Sequence, residues 1–199
     1  MPAASPRPTQ RIDGRTARSE RTRNAIVEAH VTLILEGDLR PTADRIAKHA
    51  GVSLRALWSH FADMEALFAA SGERILEQRD SAHEPIPADL PLPARIDAYC
   101  HQRARLLEQI APAAKASALK EPFSPALQGY RRSHVARVRA EVKTLFAREI
   151  GDDETLLAAV TASSMWPTWG TLRDAMGLDP DQARAALTRT VTALLTTTR

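Results

Sequence analysis

The sequence predicts an all-α protein of about nine helices, and three observations carry that expectation. Apolar residues recur at three- and four-residue intervals along most of the chain. No stretch of useful length alternates apolar with polar residues as a half-buried strand does. Glycine, proline and Ser/Thr/Asp stand where the periodic stretches begin and end.

Taken in order, residues 1–15 hold three prolines and three arginines without apolar periodicity, and read as a flexible basic arm. From about Ala17 a helix puts Ile26, Ala29, Leu33 and Ile34 on one face until Gly37-Asp38. Thr42 is the N-cap of a helix over 43–50, which stops at Gly51, a residue type that accepts the left-handed conformation. Ser53 caps a third helix through Phe61, and Asp63 caps a fourth to about Asp80. "EPIPADLPLP" follows, with four prolines between Pro85 and Pro93, and predicts a loop or hinge. Further helices are expected at about 94–110, 113–120, 124–150, 153–176 and 180–197, with breaks at Pro112, Glu121-Pro122, Gly151 and Gly177. Asp179 serves as the last N-cap and Pro180 as the first helical residue.

A chain of 199 residues with 44% hydrophobic residues can bury a sizeable core. Its formal charge of +3 is unevenly spread. Residues 1–61 carry ten Lys/Arg against six Asp/Glu, whereas the remainder carries 17 against 18. That asymmetry points to an anionic partner for the first third or to a merely solvated basic face. The single Cys100 allows no intrachain disulfide and no cysteine zinc site, which favours a reducing cytoplasm. No signal-peptide core and no run of 18 apolar residues is seen, so no membrane partner is expected.

The helices on either side of "AGVS" have the lengths and the glycine turn of a helix-turn-helix. On a helical wheel the second one turns Leu57 and Phe61 inward and sets Leu54 at the edge. Arg55 and Ser59 point the opposite way, flanked by Trp58 and His60. An outward arginine beside a small hydroxyl suits the major groove, where arginine can bond guanine O6 and N7 together. A solvent-exposed arginine on an ordinary helical hairpin is the plain alternative.

"RTRNAIVEAHVTLILEG…PTADRIAKHAGVSLRALWSHFADMEALF" resembles the N-terminal domain of the tetracycline-repressor (TetR) family of bacterial transcription regulators, over about residues 19–70. The resemblance implies a DNA-binding head over 16–62, with 53–61 as recognition helix, and a larger domain over 63–199 that binds a small-molecule effector and dimerises. Thr42 matches the hydroxyl residue that meets a phosphate while capping its helix, and Arg45 a position near the DNA backbone. Ser53, Leu54, Arg55 and Ser59 fall at groove-facing positions, and His60 at a position that often touches phosphate. Two departures stand out. Trp58 replaces the usual tyrosine, and its indole N–H donates but does not accept. Met64 stands where a lysine often supports a phosphate contact, so Arg7, Arg11 and Arg15 of the arm are expected to compensate from the minor groove.

In the body, "LPARIDAYCHQRARLLEQI" sets Arg103 in the middle of an apolar stripe that includes Tyr99. A charge there needs a partner, which leaves open an internal ion pair or a pocket for an acidic effector. Tyr130 and His134, close to the apolar face of the helix from Ser124, are either cavity lining or core, and Trp166 joins these pocket candidates. Trp169, Leu172 and Arg173 match a tryptophan and Leu-Arg pair that recurs near the end of the family. This implies a four-helix dimer interface, to which Leu156, Val160, Trp169, Leu187, Val191 and Leu194 are assigned. Dimerisation would set two recognition helices roughly 34 Å apart on a palindromic double-stranded operator.

Enzyme signatures are missing: there is no GxxxxGK[ST], HExxH or CxxC, and "GVSLR" departs from GxSxG at its last residue. No catalytic residue, cofactor or metal is expected. The reading is a dimeric repressor released by a small molecule. Its alternative is a helix-turn-helix DNA-binding protein without an effector.

Overall fold

The computed structural model describes residues 14–81 and 84–196, and no strand occurs among them. Helices α1 (Gly14–Leu35), α2 (Ala43–His49), α3 (Leu54–His60) and α4 (Met64–Ser81) precede the proline loop. Helix α5 (Leu92–Lys120) and a short 3₁₀ turn, Glu121–Phe123, lead to α6 (Pro125–Leu145) and α7 (Ala147–Ile150). Then follow α8 (Glu154–Ser163), α9 (Trp166–Gly170), a π-helical turn (Thr171–Ala175) and α10 (Pro180–Thr196). None of these helices is long and apolar enough to cross a membrane.

Two apolar clusters organise them. The first joins Ile26, Ala29 and Leu33 of α1 to Ile46 of α2 and to Leu57 and Phe61, the face expected from the wheel. Leu67 and Ala70 of α4 complete it, so α4 supplies core to the helix-turn-helix. The second cluster lies among α5, α6, α8 and α10, around Tyr99, Val138, Val160, Trp169 and Val191. Helix α4 packs on both α1 and α6 and thereby links the two.

The caps match the sequence reading. Ser53 Oγ accepts from Ala56 N at 3.1 Å and Asp63 Oδ1 from Ala66 N at 2.8 Å. Gly51 at φ +68° and Gly177 at φ +70° take the left-handed turns that end their helices. Asp179 Oδ1 accepts from Gln182 N at 2.8 Å while Gln182 Oε1 accepts from Asp179 N at 3.0 Å, a reciprocal capping box ahead of Pro180.

Four boundaries differ from expectation. The first helix starts at Gly14, so Arg15 is helical, while Arg7 and Arg11 lie outside the described residues, as does the last expected helical residue, 197. Helix α5 continues through Pro112 instead of breaking there. An interior proline costs about 3 kcal/mol, and buried Leu107 and Ala116 on either side of it offset that loss. The helix expected over 124–150 instead stops at Leu145, because the carbonyl of Leu145 accepts from Arg95 Nη1 at 2.7 Å. Arg95 is itself buried, bonds Leu90 O at 2.9 Å and pairs with Glu149.

The helix expected over 153–176 is likewise interrupted, at Ser164-Met165. Pro167, which lacks an N–H, sits in the first turn of α9 where none is needed. The π-helical turn that follows bonds Met176 N to Thr171 O at 3.0 Å.

Candidate nucleic-acid interface and internal cavity

Helix α3 is held by its inner side only. Leu57 is fully buried and Phe61 nearly so, whereas Leu54 and Trp58 are 38% and 40% exposed. Arg55 and Ser59 are exposed and His60 is half-buried. Large apolar side chains left open on a seven-residue helix are costly in water, so this face suits an occupant. Arg55 extends from the middle of it.

The hydroxyls on this side are already bonded within the chain. Ser59 Oγ donates to Ala56 O at 2.7 Å, and Thr42 Oγ1 accepts from Arg45 N at 3.3 Å. Thr42 thus keeps its O–H to donate to a further partner, and Ser59 keeps acceptor capacity. Arg45 forms a surface salt bridge: Nη1 lies 2.7 Å from Asp38 Oδ2, tying α2 to the turn after α1. Two cations unremarked in the sequence join this end of the molecule. Arg40 is exposed beside Asp38, and the Arg23 guanidinium lies 4.9 Å from the centre of the Phe61 ring.

Behind the head lies a cavity of about 270 Å³. Head and body both line it: His30 and Ile34 of α1, Leu39 and Pro41 from the turn that leads to Thr42, and Phe68 and Ser71 of α4. Tyr130, Arg131 and His134 of α6 face it from the body, with Trp166 at one end and Lys120 at the close of α5. Tyr130, His134 and Trp166 therefore line a common space as expected of pocket residues.

Tyr99 and Arg103 do not. Both are buried in the wall, and Arg103 Nη2 donates to Ser164 O at 2.7 Å, the carbonyl freed where α8 breaks. Arg103 has found neither an ion pair nor the cavity, but a helix end. Its guanidinium is close enough to help depress the basicity of His134.

Two imidazoles of the lining are buried and electrically neutral near pH 7. Burial first, then the Lys120 ammonium, pulls His30 down to about 4. Burial first, then Arg103, Arg79 and Arg131, pulls His134 down to about 3. His30 Nδ1 lies 2.8 Å from Ser71 Oγ, and its ring stacks on Phe68 with centroids 5.7 Å apart. Its Nε2 has no partner, and neither nitrogen of His134 has one, among the described residues. The clue to His30 was already in the sequence: it is a histidine inside the apolar face Ile26-Ala29-Leu33.

The expected dimer residues need correction. Val160, Trp169, Leu187 and Val191 are buried in the core of the single chain, so their surface is already covered and cannot be given to a partner. Trp169 Nε1 donates to Glu108 Oε1 at 2.7 Å, and Arg173 Nε donates to the same oxygen at 2.8 Å. The Trp169 and Arg173 pair thus attaches α9 and the π-helical turn to α5. Only Leu156 and Leu194 keep part of their surface.

Comparison with known proteins bears on the same regions. Residues 26–71 match the family model of bacterial regulatory proteins, tetR family. Among curated proteins none matches the chain. A tetR-family transcriptional regulator from Streptomyces coelicolor superposes with a TM-score of 0.70 at 19% identity, covering 88% of this chain and 80% of that one. A transcriptional regulator from Rhodococcus sp. Rha1 gives 0.65 at 21% identity, covering 89% and 95%. The multidrug binding protein EbrR, solved in complex with imidazole, gives 0.59 at 21% identity, covering 85% and 92%. Identities this low speak for the fold, which extends over both clusters.

Proposed function

The chain belongs to the tetR family of bacterial regulatory proteins through its residues 26–71, and from that premise we propose that it is a dimeric repressor, bound to a palindromic operator and released by a small-molecule effector. The observation that carries the DNA-binding part is the open face of α3, with Arg55 flanked by exposed Leu54, Trp58 and Ser59. Arg55 is the base reader in this scheme, and Thr42, Trp58 and His60 reach the phosphates. The head spans 16–62 with core borrowed from α4, and the remainder forms the effector and dimerisation domain.

Release by an effector is supported by where the cavity lies. Pro41 lines it one residue before the cap of α2, and His30 and Ile34 line it from the helix that carries the head's core. A molecule bound there favours those head orientations that accommodate it, and the population shifts away from the half-site spacing DNA requires. This favours the regulated repressor over a DNA-binding protein without an effector. The structural neighbour EbrR is described as a multidrug binding protein, which agrees with such a use of this fold.

Dimerisation is supported by α8 and α10, which pack together and leave small residues outside. Ala158 and Ala162 of α8 and Ala185 and Thr192 of α10 are exposed at helical spacing beside half-buried Leu156 and Leu194. Faces of this kind let helix backbones approach closely.

The test is selection of bound duplexes from a random-sequence library by the full chain, with stoichiometry by light scattering. A two-fold symmetric consensus occupied by two chains per duplex is expected. Binding without sequence preference, or by one chain per site, overturns the proposal.

A further inference from the structure

We propose that the cavity is built for a small organic carboxylate with an apolar body, and that Lys120 is its counter-ion. The inference rests on reading the cavity as the effector site and adds the chemical class. Its wall is mainly aliphatic and aromatic, including Ile34, Phe68 and Trp166, which excludes a strongly hydrated ligand. Its volume of about 270 Å³ suits a single ring or a medium-length alkyl chain.

The charges of the lining decide the rest. Arg131 Nε is 2.9 Å from Glu121 Oε1, so those two lining charges neutralise each other. Arg79, near but outside the lining, is bonded to Glu141 at 2.7 Å. Lys120 makes no ion pair among the described residues. Its ammonium lies instead 4.7 Å from the centre of the Phe68 ring, the same ring on which His30 stacks. Within the lining the cations thus exceed the carboxylates by one, Lys120, while the nearby Asp38 carboxylate, outside the lining, is engaged by Arg45.

Buried imidazoles supply the complement. His30 is 2% exposed and His134 7%, and three of their four ring nitrogens are without a partner beside the cavity. A neutral imidazole N–H donates to a carboxylate oxygen without bringing a second charge to be desolvated. Lys120 and His30 contact the same Phe68 ring, so a carboxylate paired with Lys120 enters the space that the imidazoles also line, with the apolar wall left for the rest of the molecule. A cationic ligand would meet Lys120 with no free carboxylate in the lining to receive it. A neutral one would leave Lys120 without a counter-ion.

The experiment is calorimetric titration of the full chain, without DNA, by octanoate and 4-phenylbutyrate against octanamide and octylamine. The acids are expected to bind about tenfold or more tightly than the amide, and the amine not at all. Lys120→Met should bring the acids down to the level of the amide and leave the amide unchanged. Ala114→Trp, which fills the cavity, should abolish both. Equal binding of acid and amide, no binding of either acid at millimolar concentration, or an unchanged preference for acids in Lys120→Met overturns the proposal. Adding octanoate to the protein–DNA complex separates the two readings. Binding without release of DNA keeps the carboxylate site and overturns the effector role, whereas release by octanamide alone overturns the carboxylate class and keeps the effector role.

Discussion

The guanidinium of Arg95 donates to the carbonyl oxygen of Leu145 at 2.7 Å, across 50 positions of sequence. The same group holds Leu90 O and the Glu149 carboxylate, so one side chain of α5 anchors the proline loop, the end of α6 and α7. Arg95→Met should cost about 3 to 5 kcal/mol, because it leaves a carboxylate and two carbonyls without their donor. Urea unfolding followed by circular dichroism measures this. Arg95→Lys should recover only part, since an ammonium cannot reproduce the planar fork, and full recovery would argue against that geometry.

Arg55 and Arg45 separate reading from support. Arg55→Ala should weaken operator binding by about 1 to 3 kcal/mol and relax preference at one base pair. Arg45→Ala removes an exposed partner of Asp38 and should change stability by less than about 1 kcal/mol, with any loss of affinity equal on all sequences. Fluorescence anisotropy on single-base operator variants distinguishes the two. A uniform loss for Arg55→Ala would reduce it to a phosphate contact.

Stability should fall in mild acid because of His30 and His134. Both have a folded-state pKa below the ordinary value of 6.5, to about 4 and about 3. The unfolded chain therefore binds more protons below pH 6.5, and the stability these neutral rings provide is complete above it. It is lost as pH falls from 6.5 towards 4 for His30 and on towards 3 for His134. Melting temperatures recorded from pH 7.5 to 4 should show this decline, and His134→Leu should flatten it. An undiminished slope in His134→Leu would assign the decline to other groups.

Ala162 lies exposed on α8, on the face proposed to meet a second chain. Ala162→Arg should yield a folded monomer by light scattering coupled to gel filtration, with helicity retained. A persistent dimer would move the interface elsewhere.

Pro112 interrupts the hydrogen-bonding of α5 without ending it. Pro112→Ala should stabilise the chain, by up to about 3 kcal/mol, through the restored amide donor. The urea midpoint reports it, and destabilisation would mean that the ring is needed for packing.

The local signals were legible wherever the neighbours along the chain decide the outcome. Ser53, Asp63, Gly51, Gly177 and the Asp179-Pro180 pair took their expected places, because a cap or a left-handed turn involves atoms only a few residues apart. The inward turn of Leu57 and Phe61 followed from helical periodicity alone. The misjudged places depend on distant partners. Leu145 ends its helix because Arg95 takes its carbonyl, and Arg103 serves a helix end 61 positions away. Val160, Trp169, Leu187 and Val191 were apolar stripes that either a core or a partner could cover, and periodicity does not distinguish the two.

The sequence by itself thus determined the helices, their caps and the outward face of α3, since backbone geometry and side-chain spacing are local properties. The tertiary structure decided which charged and polar groups find partners and which do not. Arg95, Arg131 and Glu121 found partners, whereas Lys120 and the two imidazoles meet in a cavity assembled from α1, α4, α5 and α6. Electrostatic balance in a low-dielectric interior is set by groups far apart in sequence, so the character of that cavity became visible only once the chain was folded.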